Sequence, residues 1–373
     1  QHDGYHLVWN RCGVLQLADG DDEAARFSAI IAAQGHSPEF LRFVDAAQAR
    51  DIAGRAVRGP GWWMPSGAWV SPGSLAVALL AAPAAPLRAD DFKADVKYVQ
   101  VGDVKLAYYM RGEGKPLVMV NGFVSTMSLW DPRLIAELAK THQLMMFDNR
   151  GVGMSTDSAE NKTTIPQMAD DAAGLIQALG LKQPDVLGWS MGARITQQLV
   201  IRHPDVVGKV VIAAPNPGGS HSVPASKEVE DKLNDPNLPL EGKIGLAFPV
   251  DAGGVKVGEE VFKAIMENGK QGVAPNDFDV SKETTERQDT ARTTLWSADE
   301  TNFENLKNIK NPMLVTAGRY DVIDPPVNAQ LIADQIPFAW LAYFDGGHAF
   351  LFQQYAQFAA TVNAFLQDPA PNN

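Results

Sequence analysis

The sequence is most informative at first for what it has little of. Its 373 residues hold one cysteine, Cys12. That excludes a disulfide framework and any zinc or iron–sulfur site built from several thiolates. Basic charge is also short, with 32 Lys+Arg against 44 Asp+Glu and a net charge of -12. A surface that binds nucleic acid or anionic lipid needs a cationic footprint, so both partners are set aside. Long apolar runs are missing too. The most conspicuous, Leu75–Ala82, has eight residues, far below the roughly 20 that a membrane-spanning helix needs. The chain has no internal repeat. What is present is an ordinary apolar fraction, 45%, which fits a globular protein rather than a disordered or collagen-like one. The length allows two or three units. An acidic, soluble enzyme is the expectation.

A second shortage divides the chain. There is no lysine before Lys93, and all seven bases of residues 1–88 are arginines, set against eight acids. Residues 89–373 carry the other 25 bases and 36 acids, so the first segment is near neutral and the second holds a net -11. Four of the eight tryptophans (Trp9, Trp62, Trp63 and Trp69) fall in the first segment. The Ala/Pro-rich run Ala81–Pro86 between the two has a linker's composition. Two segments of separate origin are therefore expected, 1–88 and 89–373. The stretch Leu75–Ala89 also has the look of a relic secretory signal, but it lacks the basic flank and the N-terminal position of a working one. The chain as written is otherwise expected to be cytoplasmic.

From Asp91 onward, short β-type runs alternate with helical stripes. Strands are expected at Lys97–Val101, Val104–Met110, Pro116–Val120, Leu144–Phe147, Asp185–Gly188, Val207–Ala213, Met313–Ala317 and Ala339–Phe344. Helices are expected at Pro132–Lys140, from Thr164 onward, and at Gly192–His203, Val327–Ile336 and Ala356–Leu366. That alternation predicts an α/β fold with a mostly parallel sheet flanked by helices. It lapses at about 215–311, where polar helical segments suggest an inserted helical cap over one end of the sheet. Leu246, Phe248, Val261, Phe262 and Ile265 are the cap residues expected to set an acyl pocket.

The strongest local signal is Gly188-Trp189-Ser190-Met191-Gly192, between an expected strand and an expected helix. In that setting G-x-S-x-G forms a tight elbow that exposes the serine hydroxyl at the carboxyl end of the sheet. A serine nucleophile needs a base, and the base needs a carboxylate to orient it. Of the three later histidines, His203 closes a helix and His221 lies in a polar loop. His348 follows the last strand and is the expected base. Asp321, after the turn that leaves Met313–Ala317, is the expected acid. Asp324 precedes a proline and is expected to serve as a helix N-cap. A tetrahedral intermediate needs two backbone NH donors. Those of Met191 and Phe123 are expected, the latter from the loop Asn121-Gly122-Phe123. Asn121, Met127 and Trp130 are candidates for the substrate pocket.

These pieces, with Asp148–Ser155, Gly318-x-x-Asp321 and Gly347-His348, resemble the α/β-hydrolases of the esterase and lipase kind over about residues 91–366. The resemblance implies the α/β-hydrolase fold, a Ser190–His348–Asp321 triad, no metal and no cofactor. It also implies a small-molecule ester as substrate, of short to medium acyl chain. Lactonase, C–C bond hydrolase and cofactor-free haloperoxidase or perhydrolase chemistry use the same serine and stay open. The chain departs from the family in having Asn121-Gly122 where His-Gly is usual; asparagine can still brace that loop by hydrogen bonding.

Residues 5–80 resemble something different, on the words Trp9–Ala18, Val44–Ala47 and Gly61–Val70. They are similar to an interior part of the flavin-dependent oxidase in the bifunctional enzyme that builds 5-methylaminomethyl-2-thiouridine in tRNA. The resemblance admits a flavin (FAD) oxidoreductase as a competing class. The fingerprint G-x-G-x-x-G that seats a dinucleotide is absent from the chain, so the segment is expected to bind no FAD and to be non-catalytic.

Overall fold

The computed structural model describes residues 92–367 except 159, 161–162, 234, 236 and 250–252, and in the first segment 9–10, 14–17, 42–53, 61–64 and 69–70. The chain forms two compact units, Gln1–Asp90 with Pro369–Asn373, and Asp91–Asp368. The possible signal at Leu75–Ala89 and the single cysteine both lie outside the described residues.

The larger unit is built on eight strands: β1 (Lys97–Val101), β2 (Val104–Arg111), β3 (Lys115–Val120), β4 (His142–Phe147), β5 (Asp185–Trp189), β6 (Val210–Ala213), β7 (Met313–Gly318) and β8 (Ala339–Phe344). They lie in the order β8-β7-β6-β5-β3-β4-β2-β1. From β8 to β4 every pairing is parallel, while β2 pairs antiparallel with both β4 and β1. The central strands are buried on both faces of the sheet, while the edge strands β1 and β8 are largely exposed or half-buried. Side chains alternate along a strand, so Val118 and Val120 of β3 enter one apolar cluster and Leu117 and Met119 the other. Met145 and Phe147 against Leu144 and Met146 repeat the division on β4. Burial on both sides is why these strands read as continuous apolar runs.

Helices α1 (Pro132–Leu138), α2 (Ile165–Ala178), α3 (Met191–Arg202), α9 (Val327–Gln335) and α11 (Tyr355–Gln367) cover those faces, with the short α10 (Phe350–Gln353) just before α11. Thr164 caps α2, its Oγ1 accepting from the Gln167 NH at 3.1 Å, and Pro166 occupies the first turn, where no donor is lost. Between β6 and β7 the insertion supplies α4 (Lys227–Leu233), α5 (Leu240–Ala247), α6 (Gly254–Lys270), α7 (Lys282–Thr290) and α8 (Glu300–Asn305). A π-turn, Ala291–Leu295, continues α7.

Three local expectations change. The strand expected at Val207–Ala213 begins only at Val210, because the Gly208 NH turns to the Pro184 carbonyl and the Lys209 NH to Asp185. Phe248, Val261 and Ile265 of the insertion are buried in the core cluster of the α1/α11 face, Phe262 packs against it, and Leu246 is buried outside it. These side chains are packed against neighbours rather than open to solvent. Asp324 caps no helix; it is buried against Arg194, and α9 starts after Pro326.

In the first unit, Trp9–Asn10 pairs antiparallel with Trp69–Val70. Gly61–Met64 pairs antiparallel with Val14–Leu17 on one side and Arg42–Val44 on the other. A helix, Ala46–Ala53, follows. Its start is a capping box: Asp45 Oδ1 accepts from the NH groups of Ala47 and Gln48 at 2.8 Å, and Gln48 Oε1 accepts from the Asp45 NH at 3.0 Å.

Candidate active site

Ser190 stands between the end of β5 and the first residue of α3, with φ 58° and ψ −121°. A non-glycine residue at positive φ is strained, and such strain persists only where its surroundings enforce it. Here the enforcement is close packing. A Cβ at Gly192 would lie 2.1 Å from the Val120 carbonyl oxygen, and one at Gly188 would lie 2.4 Å from that of Gly192. Only glycine lets α3 leave β5 so abruptly. The Ser190 NH donates to the Ala213 carbonyl at 2.9 Å, which ties the elbow to β6.

His348 lies in the turn after β8, buried, with Nε2 at 2.8 Å from Ser190 Oγ. Its Nδ1 is 2.9 Å from Asp321 Oδ2. The other Asp321 oxygen accepts from the NH groups of Ile323 and Asp324, both at 2.9 Å, so the carboxylate cannot swing away. Burial works against the charged imidazole. The charge and hydrogen bond of Asp321, with the charge of Asp324, outweigh it and hold the His348 pKa above its ordinary value; Arg194 opposes them. The turn is fixed by its backbone as well, because Trp189 Nε1 donates to the His348 carbonyl at 3.0 Å.

The loop after β3 passes beside Ser190. A Cβ on Gly122 would lie 3.3 Å from Ser190 Cβ, which brings the Phe123 segment against the elbow, and Met191 is the first residue of α3. Asn121 is buried, and its Nδ2 donates to the Phe147 carbonyl at 3.2 Å. This is the bracing role open to asparagine in place of histidine. Met127 and Trp130, expected on the pocket wall, are 1% and 2% exposed and lie in the core. Trp130 packs with Trp189 and Phe352 in an aromatic group behind His348 (centroids 6.4 and 6.3 Å away).

The Asp148–Ser155 turn supports this arrangement. Asp148 accepts from the Met127 NH at 2.6 Å and the Met154 NH at 2.9 Å. Burial nevertheless raises its pKa to about 6, above what those two bonds can offset. Arg150, fully buried, is gripped by Asp171 at 2.6 and 2.7 Å. His203 ends α3 with Nε2 at 2.7 Å from Asp170, and His221 stacks on Phe303 at 4.1 Å. Neither is brought to Ser190. Among the described residues, no group of three or more His, Cys, Asp or Glu side chains is placed to hold a metal ion.

One pair escaped the sequence. Arg194, one turn into α3, meets Asp324 at 2.9 and 3.1 Å, and Asn216 Nδ2 donates to the same carboxylate at 3.1 Å. The available signal was an arginine in the first turn of a helix, flanked by Gly192, Ala193 and Ile195.

Comparison with known proteins gives two family matches that overlap. A family model described as "alpha/beta hydrolase fold" matches residues 115–355, and one described as "FAD dependent oxidoreductase" matches residues 1–174. Residues 115–174, matched by both, include β3, α1, β4 and most of α2 of the eight-stranded unit. A protein of Mycobacterium tuberculosis named "Putative non-heme bromoperoxidase" is 30% identical over 256 residues, 67% of this chain and 93% of its own length. A poly(3-hydroxyalkanoate) depolymerase of Ectopseudomonas oleovorans is 28% identical over 258 residues, 68% of this chain and 84% of its own. The solved structure of an alpha/beta hydrolase fold protein from Chitinophaga pinensis superposes with a TM-score of 0.66 at 27% identity, covering 74% of this chain and 98% of that one. The first segment is similar to the bifunctional 5-methylaminomethyl-2-thiouridine protein of Ralstonia nicotianae, 39% identical over 79 residues. That match covers 21% of this chain and only 12% of the Ralstonia protein. The chain belongs to the α/β-hydrolase fold family.

Proposed function

We propose that this hydrolase cleaves carboxylic esters of short to medium acyl chain through an acyl-enzyme on Ser190. The observation that carries the reading is the unbroken line from Ser190 Oγ to His348 Nε2 (2.8 Å) and from His348 Nδ1 to Asp321 Oδ2 (2.9 Å). Ser190 Oγ attacks the ester carbonyl while His348 takes its proton. Asp321 fixes the imidazole tautomer and stabilises the cation that forms. The NH groups of Phe123 and Met191 receive the oxyanion. His348 then returns the proton to the departing alcohol, and water, deprotonated by the same imidazole, releases the acid.

The burial of the insertion's apolar side chains supports a short or medium acyl chain, since few remain to sheathe a long one. The depolymerase relative, named for a polyester, points the same way. The test is a chain-length series of p-nitrophenyl esters, with fluorophosphonate labelling of the protein. Ser190→Ala should abolish labelling and cut turnover about 10⁴–10⁶-fold. A variant that hydrolyses at the wild-type rate would end the reading.

A second reading follows from the bromoperoxidase name of the mycobacterial relative: the acyl-enzyme could be attacked by hydrogen peroxide instead of water and release a peracid. Competition between the two nucleophiles, followed by the yield of acid against peracid, separates these. For residues 1–88 the reading is an appended oxidase-like segment that binds no flavin and catalyses nothing. A flavin spectrum in the purified protein, or loss of esterase activity on deleting the segment, would overturn it.

A further inference from the structure

The loop that carries Phe123 is tied to the body of the domain at its ends, by Asn121 to Phe147 and by the Met127 NH to Asp148. Its middle is held differently. Val124 has φ 49°, a left-handed conformation that a β-branched residue avoids. The Phe123–Val124 peptide is gripped on both sides: the Val124 NH donates to Gln288 Oε1 at 2.9 Å, and Ser125 Oγ donates to the Phe123 carbonyl at 3.0 Å. Arg292 lays its guanidinium over the Phe123 ring at 4.2 Å. Gln288 and Arg292 both belong to the insertion, four residues apart and so on one face, the first in α7 and the second in the π-turn that continues it. π-turns of this kind recur at functional sites.

Gln288 is fully buried, and among the described residues its NH2 group has no partner. An apolar side chain of the same length would avoid that orphan donor. What the amide supplies, and methionine could not, is the oxygen facing Val124.

We propose that Gln288 and Arg292 are positioning residues, through which the insertion holds the Phe123 NH in its working orientation. The proposal rests on the acyl-transfer reading above. Fixing the Phe123–Val124 peptide plane fixes ψ of Phe123, and Asn121 fixes the loop on the other side. The direction of the Phe123 NH relative to Ser190 follows from the two. Released from Gln288, Val124 would relax toward negative φ and turn that plane. Bonds to the oxyanion exist only in the transition state, so the loss would fall on kcat and leave KM nearly unchanged.

The test uses the full chain with Gln288→Met, Gln288→Glu and Arg292→Met, assayed on p-nitrophenyl butyrate and on the matching thionoester, whose sulfur accepts hydrogen bonds poorly. Gln288→Met should lower kcat about 10- to 100-fold on the ester, with little change in KM. It should also narrow the preference for ester over thionoester, and Gln288→Glu, which keeps an acceptor oxygen, should restore most of the turnover. Wild-type kcat in Gln288→Met overturns the proposal, as does a loss of kcat that leaves the ester preference intact. If melting shows that Gln288→Met does not fold, Arg292→Met is read by the same two criteria. Fluorophosphonate labelling of the wild type separates the two levels. An unlabelled Ser190 removes the acyl-transfer reading and this proposal with it, whereas a labelled Ser190 with indifferent variants removes the proposal alone.

Discussion

Arg194 and Asp324 form a buried, two-pronged ion pair between the helix that follows the nucleophile and the loop that carries Asp321. Removing one partner of such a pair leaves the other charge desolvated, at a cost of about 3–5 kcal/mol. Arg194→Met should therefore lose about that much stability in urea unfolding. The pair also bears on catalysis with opposed signs, since Asp324 raises the His348 pKa and Arg194 lowers it. The pH–rate profile of Arg194→Met should move to higher pH and that of Asp324→Asn to lower pH. A shift of both in one direction would contradict the arrangement.

The proposed ester cleavage needs His348 neutral, so the rate should rise with pH through a midpoint above the ordinary 6.5, because Asp321 and Asp324 together outweigh burial. Asp321→Asn should bring that midpoint down and reduce turnover about 10³–10⁴-fold. The linkage to stability runs the opposite way from the rate. The charged His348–Asp321 pair contributes fully below the unfolded imidazole pKa, and its contribution fades as pH climbs through the folded value. Unfolding curves for wild type and His348→Ala, taken at several pH values, should converge as pH rises.

Asp148 gives a second pH signature. Its folded pKa, about 6 against an ordinary 3.8, means that the folded state binds its proton more tightly than the unfolded chain. This group alone should therefore lower stability by about 3 kcal/mol as pH rises from about 4 to about 6. Subtracting the pH–stability curve of Asp148→Asn from that of the wild type isolates the effect; a flat difference would remove it.

Strain at Ser190 predicts a difference between two inactive variants. Alanine keeps the cost of φ 58°, while glycine does not. Ser190→Gly should be more stable than Ser190→Ala by about 1 kcal/mol, read as a higher urea midpoint.

A fully paired polar cluster ties the insertion to α3. Asn302 Nδ2 donates to Gln197 Oε1 at 3.0 Å and to the Pro217 carbonyl at 2.8 Å, and its Oδ1 accepts from Gln198 at 2.9 Å. Asn302→Ala strands three buried groups and should cost about 2–4 kcal/mol.

The contrast between what the sequence revealed and what it hid follows from range. The Ser190 elbow was legible because its residues are contiguous: Gly188 answers to Gly192 and Thr196 a few residues on, although Gly192 itself answers to Val120 of β3. The strands were legible because both faces of the sheet demand apolar side chains. Asp324 was misread for a local reason: an aspartate before proline looks like a helix cap, and only the fold brings Arg194 across 130 residues to claim it. The insertion's Phe248, Val261 and Ile265 looked like pocket lining because a sequence cannot say which of two apolar destinations a side chain reaches. Gln288 gave no signal, since its partner Val124 is 164 residues away.

The bond from Trp189 Nε1 to the His348 carbonyl joins groups 159 residues apart, and neither group takes part in proton transfer. Its consequence concerns folding order. The indole rides on β5 and the carbonyl on the turn after β8, so the base is seated only after the insertion has been bypassed and the far strand has docked. Contacts of such separation form slowly. The same docking that closes the Trp189–His348 bond is what brings the imidazole to Ser190 Oγ, so the two contacts stand or fall together.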